Sequence, residues 1–488
     1  MDGFPTLGIP DTGDTAWMLA SSALVLLMTP GLAFFYGGMV RAKGVLNMIM
    51  MSFSAMGVVT VLWVLYGYSM AFGNDVSNFV GDPTQFFGLK GLIGGNAAAE
   101  VIADPAAGVE AAEVVNIPLV FTMPATVFVA FQLMFAIITV ALISGAVADR
   151  IKFGGWLLFS GLPVSLFSLF QALFAGITVA LISGAVADRM KFSAWMVFAA
   201  VWAVLVYFPV AHWVFAFDGV VTEDSVGGWI ANKLHAIDFA GGTAVHINAG
   251  AAALAVAIVL GKSAGWGKLR KPHNVPLTLL GAGLLWAGWY AFNGGSALAA
   301  GNSAAIVMVT TFAATCAATL AWIAVEKVKD GHVTGVGAAS GAITGLVAIT
   351  PACGAVTPVG AIILGAIAGA ICVYAVGLKE RFGYDDSLDV VGVHLVGGVV
   401  GTILIGFLAS ESMPNGVNGL FYGGGFDQLW RQAVAAGAVM VYSFVVAGII
   451  AFAIKKTMGI RISPDEEEAG IDTAFHREAS YELQTQPV

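Results

Sequence analysis

Charged residues are scarce in this sequence. Only 10% of its 488 residues are Asp, Glu, Lys or Arg, and 58% are hydrophobic, whereas a soluble domain is about 25% charged and about 45–50% apolar. The mean hydropathy is +0.88. This shortage of charge excludes an ordinary soluble domain and predicts a protein embedded in lipid. At about 20 apolar residues per crossing, the chain is long enough to span a bilayer many times.

Cysteine is also scarce. The three cysteines, Cys316, Cys353 and Cys372, are far apart and lie in or beside apolar segments, which excludes a disulfide framework and a cysteine metal site. The sequence has no basic stripe for nucleic acid and no GxxxxGK[ST] loop for ATP. We therefore expect no cofactor, no metal and no hydrolysis-driven pump.

Apolar runs separated by short polar breaks fill most of the chain and predict an all-α polytopic membrane protein. The first run, 16–39, has no basic segment before it and no clear cleavage site, so we interpret it as a transmembrane helix and not as a signal peptide. The runs lie at 16–39, 45–72, 120–149, 153–188, 191–216, 239–261, 275–295, 303–325, 334–350, 356–377, 388–411 and 430–454.

Basic residues fall almost entirely on one side of the predicted membrane. Eighteen of the 21 Lys and Arg residues belong to that side, and only Lys90, Lys233 and Arg431 belong to the other. Because Lys and Arg prefer cytoplasmic loops, the N-terminus is expected outside and the C-terminus in the cytoplasm. The expected location is the plasma membrane or the inner membrane. We divide the chain into a transmembrane domain, 1–460, and a cytoplasmic tail, 461–488.

The chain contains a tandem repeat, 121–160 and 160–199. Residues 131–160 match residues 170–199 at an offset of 39, with 21 of 30 positions identical. Both copies end in Asp-Arg-x-Lys-Phe, a basic stop expected in the cytoplasm, so the inserted segment crosses an even number of times. A helical hairpin fits this length and gives 13 crossings. A re-entrant 153–188 segment and a non-biological assembly of the sequence remain as alternatives.

Four ionisable residues interrupt apolar helices, namely Asp238, His246, Asp389 and His394. Such residues are costly in lipid and indicate function, although a single histidine also suits a packed helix contact and an aspartate also suits a helix N-terminus. The two histidines approach the midplane from opposite sides, in similar Asp- and Gly-containing contexts, which suggests inverted repeats with the transport site between them. We expect their ring nitrogens to lie about 2.7–3.2 Å apart.

Several motifs resemble those of the Amt/MEP/Rh ammonium transporters. The match runs from about residue 14 to 482 and is carried by Pro30-Gly-Leu-Ala-Phe-Phe-Tyr-Gly-Gly38, Asp238-Phe-Ala-Gly-Gly-Thr-Ala-Val-His246, Trp289-Tyr-Ala-Phe-Asn-Gly-Gly-Ser296, Thr350-Pro-Ala-Cys-Gly354, Asp389-Val-Val-Gly-Val-His394 and the tail from Gly470. The resemblance implies 11 family transmembrane helices, ten of them in two inverted sets of five, and a homotrimer with one pore per subunit. The inserted hairpin raises the count to 13.

The resemblance also assigns residues to the site. It implies an outer recruitment site of Trp202, Ser296 and a phenylalanine, with Asp238 beside it, a gate of Phe292 and a second phenylalanine, and a pore lined by His246 and His394. The family has one FQxxF motif, whereas this chain has two, Phe131/Phe135 and Phe170/Phe174. The segment FQLMFAIIT of the first copy resembles the family motif more closely, which favours the first copy as the one that lines the pore.

The function implied is transport and not catalysis. Aromatic faces attract ammonium, the cation releases a proton near the gate, and ammonia crosses an apolar pore. A non-conducting or weakly conducting ammonium sensor is the main alternative. An ion-coupled transporter for another solute and an intramembrane hydrolase are others, although no nucleophile or metal triad is evident. Besides ammonium and the lipid bilayer, the expected partner is a PII-type regulator at the cytoplasmic tail.

Overall fold

The computed structural model describes residues 6–8, 12–89, 117–120, 123–124, 166–218, 226–267 and 272–481. Nearly all of this chain is helical. The helices are α1 (Thr12–Leu26), α2 (Met28–Met39), α3 (Val45–Leu62), α4 (Tyr68–Phe72), α5 (Leu166–Ser183), α6 (Phe192–Trp202), α7 (Phe208–Phe215), α8 (Asn248–Leu260), α9 (Val275–Gly295), α10 (Asn302–Asp330), α11 (Gly335–Ile349), α12 (Pro358–Ala375), α13 (Leu378–Phe382), α14 (Val396–Leu408), α15 (Asp427–Thr457) and α16 (Pro464–Ala469).

Other helical and strand segments join these helices. The π-helical turns are Trp63–Gly67, Ala203–Tyr207, Ile230–Leu234, Gly242–Ile247, Val391–Leu395 and Asp472–His476, and the 3-10 turns are Ala42–Gly44, Phe87–Leu89 and Leu420–Tyr422. The strands are β1 (Thr6–Gly8), β2 (Asp75–Val76), β3 (Val80–Gly81), β4 (Ile117–Val120) and β5 (Met123–Pro124). β4 pairs antiparallel with β1 and β5, and β2 pairs with β3. The sequence analysis predicted none of these short strands.

Within the described ranges, eight helices are long and apolar enough to cross a membrane. They are Ala16–Met39, Phe192–Phe215, Gly242–Leu260, Val275–Gly295, Asn302–Asp330, Pro358–Phe382, Val391–Leu408 and Asp427–Thr457. The prediction of a helical polytopic membrane protein is therefore confirmed. Three of these helices, Asn302–Asp330, Pro358–Phe382 and Asp427–Thr457, extend beyond the apolar runs that predicted them. Their additional residues include Lys, Glu and Gln, which have a good helix propensity.

Small residues let these helices pack closely. A Cβ at Gly281 on α9 would overlap the backbone of Phe35 on α2, and a Cβ at Gly365 on α12 would overlap the carbonyl of Ala314 on α10. The high glycine content of the sequence therefore reflects direct backbone contact between helices. The described core comprises one large hydrophobic cluster, which includes Trp63 and Trp195, and two smaller clusters, the larger of which involves α10, α12 and α14.

α5 belongs to the second copy of the repeat and packs against α3 and α8. At its end, the buried guanidinium of Arg189 donates to Gly261 O at 2.9 Å, to Asp188 at 2.7 Å and to the carbonyl of Asp385. Most of the first copy, including Arg150, Phe131 and Phe135, lies outside the described residues. The count of 11 or 13 crossings and the inserted hairpin remain predictions.

We call the end of the bundle that contains Arg189, Lys262, Lys455 and Arg461 the basic face. The tail folds back onto this face, where the carboxylate of Asp472 accepts hydrogen bonds from the backbone N–H groups of Leu46 at 3.0 Å and Asn47 at 2.8 Å. A carboxylate is favoured at such a position because the first N–H groups of a helix lack partners. The tail therefore caps α3 of its own chain.

Candidate functional site

His246 lies in a π-helical turn, Gly242–Ile247, that leads into α8. Asp238 fixes the start of this turn, because its carboxylate accepts hydrogen bonds from the N–H groups of Gly241 at 2.7 Å, Gly242 at 2.6 Å and Thr243 at 2.7 Å. The Thr243 hydroxyl donates to it as well. Both carboxylate oxygens of Asp238 thus accept hydrogen bonds from the turn that it begins.

His394 occupies the matching π-helical turn, Val391–Leu395, that leads into α14. The capping carboxylate here is Asp386, which accepts from Val391 N at 2.8 Å. Asp389, the aspartate that the sequence favoured by analogy with Asp238, instead pairs with Lys379 at 2.6 Å. Burial raises the pKa of the Asp386 carboxyl to about 6, while Lys379 opposes this rise and Asp389 adds to it.

The two π-helical turns meet through glycines that follow each histidine by four residues. A Cβ at Gly250 would lie 2.5 Å from Leu395 N, and a Cβ at Gly398 would lie 3.2 Å from the Cβ of His246. Positions four apart share one helix face, so each glycine brings the neighbouring histidine turn against its own. π-helical turns often mark functional positions in helices.

This crossing places the two imidazoles in direct contact. Their Nδ1 atoms are 3.3 Å apart, and their ring centroids lie 5.4 Å apart at an interplanar angle of 27°. The distance is slightly longer than the sequence analysis expected. Both rings are buried, with 0% and 2% of each residue exposed. An Nδ1-to-Nδ1 hydrogen bond requires one ring to donate and the other to accept, so two neutral rings take opposite tautomers.

Aromatic residues surround the histidine pair. The Trp289 ring stacks on His246 with centroids 5.5 Å apart, and the Phe292 ring lies 6.4 Å from it. On the other side, the Tyr36 hydroxyl lies 3.5 Å from Nε2 of His394. Nε2 of His246 has no hydrogen-bond partner among the described residues. One of the four imidazole nitrogens of the histidine pair is therefore unpartnered among the described residues.

The Thr-Pro-Ala-Cys-Gly segment at 350–354 holds this arrangement in place. The Trp289 indole donates to the Thr350 hydroxyl at 2.8 Å, and Phe239 N, next to Asp238, donates to the carbonyl of Pro351 at 3.1 Å. One loop thus orients both the ring that covers His246 and the residue beside its capping aspartate. Tyr36 and Trp289 were not predicted as site residues, although a polar aromatic residue inside an apolar motif was a usable signal for both.

Comparison with known proteins identifies this arrangement. The sequence profile described as the Ammonium Transporter Family matches residues 16–167 and 161–481. An ammonium transporter of Mycobacterium tuberculosis is 60% identical, over 99% of this chain and 93% of the relative. The chain belongs to the Ammonium Transporter Family.

Solved structures agree with this family. The crystal structure of Candida albicans Mep2 superposes with a TM-score of 0.72 at 31% identity, covering 94% of this chain and 88% of Mep2. A structure described as a Sensor Amt Protein gives a TM-score of 0.75 over 95% of this chain and 98% of its own. At 24% identity, the second likeness concerns the fold alone. The protein is thus a multi-pass membrane protein with an Amt/Mep2 fold, and its family is one of transporters and not of enzymes.

The other described residues that the resemblance assigned to the site lie on or directly after α5, α6 and α9. Trp202, at the end of α6, is fully buried and its ring centroid lies 6.4 Å from that of Tyr207. The Ser296 hydroxyl, at the end of α9, donates to Phe292 O at 2.7 Å, which ties it to the proposed gate residue. Phe170 and Phe174 lie on α5, whereas Phe131 and Phe135 are outside the described residues.

Within the described part of the chain, no group of three or more His, Cys, Asp or Glu side chains is arranged to hold a metal ion. His246 and His394 form a pair, and Cys353 and Cys372 are buried separately.

Proposed function

We propose that this protein recruits ammonium at an external aromatic site, removes one proton and conducts ammonia past His246 and His394. The observation that carries this proposal is the contact between two buried imidazoles, 3.3 Å apart, inside an aromatic and aliphatic bundle. An apolar passage strongly disfavours a bare cation, but a neutral molecule with a hydrogen-bond donor and acceptor passes two imidazoles readily.

Recruitment uses the residues outside this pair. Trp202 and a phenylalanine supply ring faces that attract a cation, and Ser296 supplies a hydroxyl oxygen that can accept a hydrogen bond from ammonium. Potassium donates no hydrogen bonds, so the same site holds it less well. Asp238, whose oxygens are already occupied by backbone donors, adds negative charge near the entrance without binding the ion directly.

As the solute leaves the recruitment site and meets Phe292, ammonium gives one proton to water on the recruitment side, and neutral ammonia continues inward. Beyond this ring, ammonia accepts a hydrogen bond from one imidazole and donates to the other, and the unpartnered Nε2 of His246 is the first ring nitrogen available to it. The Tyr36 hydroxyl beside His394 continues the row of polar groups toward the basic face.

The second copy of the repeat is the better source of the remaining pore phenylalanines. α5, with Phe170 and Phe174, packs against α8, the helix that follows His246. This packing supports the second copy over the first, which the sequence analysis favoured. The two overlapping segments of the family match, 16–167 and 161–481, each include one copy and support an inserted segment that brings the crossings to 13.

The remaining parts of the proposal come from the family resemblance and from the distribution of Lys and Arg along the sequence. They are a homotrimer with one pore per subunit, a plasma or inner membrane, an outside N-terminus, a transmembrane domain 1–460 and a cytoplasmic tail 461–488. The basic face then lies in the cytoplasm, in line with the positive-inside rule. The tail capping α3 on this face provides a surface where a PII-type regulator can bind.

Flux measurements test the histidine pair. In proteoliposomes, we expect His246→Ala with His394→Ala to reduce ammonium flux or its selectivity over potassium on the order of tenfold, because the passage loses its polar groups. His332→Ala, which removes an exposed histidine, is the matched control. Unchanged flux and selectivity in the double variant would remove the pair from the mechanism. Ammonium binding by the wild-type protein without measurable flux would instead support the sensor alternative.

A further inference from the structure

An apolar groove runs along the outer surface of α8 toward the basic face. It consists of two adjoining cavities, of about 620 and 230 Å³, which share Leu254 as a lining residue. One cavity lies between α8 and α15, and the other lies between α8 and the segment 382–385. Leu395, the last residue of the His394 turn, lines one cavity, but neither histidine lines the groove, so the transport proposal does not use it.

The groove walls suit a hydrocarbon chain. Along α8 the lining residues Ala251, Leu254 and Ala257 recur every three residues, so they follow one side of the helix. Across the groove, Met440 and Phe444 of α15 form the opposite wall. Such a narrow apolar channel on a membrane-spanning surface is filled by an apolar chain more favourably than by water.

Two lysines lie at the end of the groove on the basic face. Lys455 follows Phe444 by eleven residues, about three helical turns, and so shares its side of α15. Its Nζ donates to Val259 O at 2.8 Å, which leaves two of its three protons for another acceptor. Lys262 lines the cavity itself, and its Nζ lies 5.1 Å from the ring centroid of Trp266.

These lysines are not neutralised by nearby carboxylates. Within the described chain, neither Lys262 nor Lys455 forms an ion pair. The carboxylate that also lines the cavity, Asp385, is buried and accepts hydrogen bonds from Ser263 N at 2.8 Å and from the Ser263 hydroxyl at 2.5 Å. Two lysines without an ion-pair partner among the described residues therefore lie at the end of α8, where Lys262 lines the cavity and Lys455 donates to Val259 O.

We infer that this groove binds one anionic phospholipid, with an acyl chain along α8 and the phosphate between Lys262 and Lys455. Basic pockets between membrane helices recognise acidic head groups in this way on the cytoplasmic side. A free phosphate ion satisfies the lysines but leaves the apolar walls exposed, and a zwitterionic lipid satisfies the walls but adds a cation near the lysines. Only an anionic lipid matches both parts of the groove.

Native mass spectrometry of the full-length protein, titrated with phosphatidylglycerol or with phosphatidylcholine of the same acyl chains, tests this site. We expect the wild-type protein to prefer phosphatidylglycerol by about tenfold or more, since each basic side chain near an anionic head group contributes on the order of fivefold. Lys262→Gln with Lys455→Gln should abolish the preference and keep the weaker phosphatidylcholine binding. Soluble glycerol phosphate should not compete.

Lys327→Gln with Lys329→Gln is the matched control, because it removes two exposed lysines at the end of α10 and the same total charge. It should keep the preference for phosphatidylglycerol. Equal preference in the wild type and the Lys262/Lys455 variant would overturn the site, as would equal loss in the control or full competition by glycerol phosphate. Melting temperatures in zwitterionic detergent establish that both variants fold, and ammonium flux in phosphatidylcholine vesicles reports separately on the proposed transport.

Discussion

At the scale of single residues, two carboxylates at the start of the His394 helix have different roles. Asp386 is buried and accepts a backbone hydrogen bond from Val391, whereas Asp389 forms an ion pair with Lys379. The Oδ1 atom of Asp386 has no partner among the described residues. Burial and incomplete pairing disfavour the ionised form of a carboxyl group. The protonation of Asp386 at the start of the His394 turn therefore depends on pH.

Replacing Asp386 with asparagine should stabilise the protein above pH about 6. Burial raises the pKa of the Asp386 carboxyl from its usual value of 3.8 to about 6, so the native state holds this proton more tightly than the unfolded state does. The contribution of the protonated Asp386 carboxyl to the free energy of unfolding is complete below pH about 3.8 and is lost as the pH rises through about 6. Asparagine keeps an acceptor for Val391 and removes this loss, which should stabilise the protein at pH 7.5 by about 2–3 kcal/mol.

Thermal unfolding in detergent at pH 5 and pH 7.5 measures this effect. We expect the advantage of Asp386→Asn over the wild-type protein to be larger at pH 7.5 than at pH 5. Asp465→Asn, at an exposed position in the tail, is the control and should leave the pH dependence unchanged. A wild-type pH dependence in the Asp386→Asn variant would show that this carboxyl does not couple folding to pH.

At the scale of secondary-structure elements, the site depends on the crossing of two helices that each begin with a π-helical turn. Four residues after each histidine, a glycine lets the opposite turn approach, but the two contacts are unequal. A Cβ at Gly250 would lie 2.5 Å from the backbone nitrogen of Leu395, whereas at Gly398 the nearest atom would be a side-chain carbon of Ile247 at 3.1 Å. A side-chain atom moves more easily than backbone in a close-packed interior.

This asymmetry predicts different outcomes for two alanine substitutions. Gly250→Ala should separate the histidine turns and reduce ammonium flux on the order of tenfold or more, with a loss of stability of about 1–3 kcal/mol from overpacking. Gly398→Ala should have a smaller effect on both. Gly283→Ala is the control, because no atom lies within 4 Å of the added Cβ, and it should leave flux unchanged. Equal flux in all three variants would show that the crossing distance does not limit transport.

Sequence patterns predicted the long membrane helices, but not the short strands, the π-helical turns or the contacts between helices. The apolar runs predicted the membrane helices, and the resemblance of the motifs to the family predicted that His246 and His394 line one pore. The capping role of Asp386 was missed because capping depends on where the π-helical turn begins, and Asp389 has φ +63, a left-handed conformation that directs the chain away from a simple cap. Trp289 and Tyr36 were missed because their roles arise only where three distant helices meet.

At the scale of the whole molecule, the duplicated segment is the feature that separates this chain from the ordinary family pattern. The two copies are identical at 21 of 30 positions, so either could supply the same helix to the bundle. The helix that occupies this place is α5, and Arg189 at its end is bound by groups from three other segments, including Gly261 O and the Ser387 hydroxyl. Because α5 is held both along its packing face and by the residues that follow it, one copy of the repeat is enough to supply this helix of the bundle.

If one copy of the repeat supplies the helix, the other copy can be deleted. Deleting residues 125–163 removes one period of 39 residues and joins Pro124 to Val164, so it leaves α5, Arg189, both histidines and every contact described around them intact. We expect the deletion variant to fold and to conduct ammonium at a rate within about threefold of the wild-type protein, because the uninterrupted bundle supplies the packing and the polar row. Flux in proteoliposomes and melting temperature in detergent measure the outcome.

The complementary deletion of residues 150–188 joins Asp149 to Arg189 and keeps the first copy. This copy has Leu133, Met134 and Ile137 at the positions where the second copy has Ala172, Leu173 and Gly176. Since Gly176 permits closer approach than an isoleucine, this second variant should be the less stable of the two. If only the second variant conducts, the first copy forms the pore, and if neither folds, both copies are integral to the bundle.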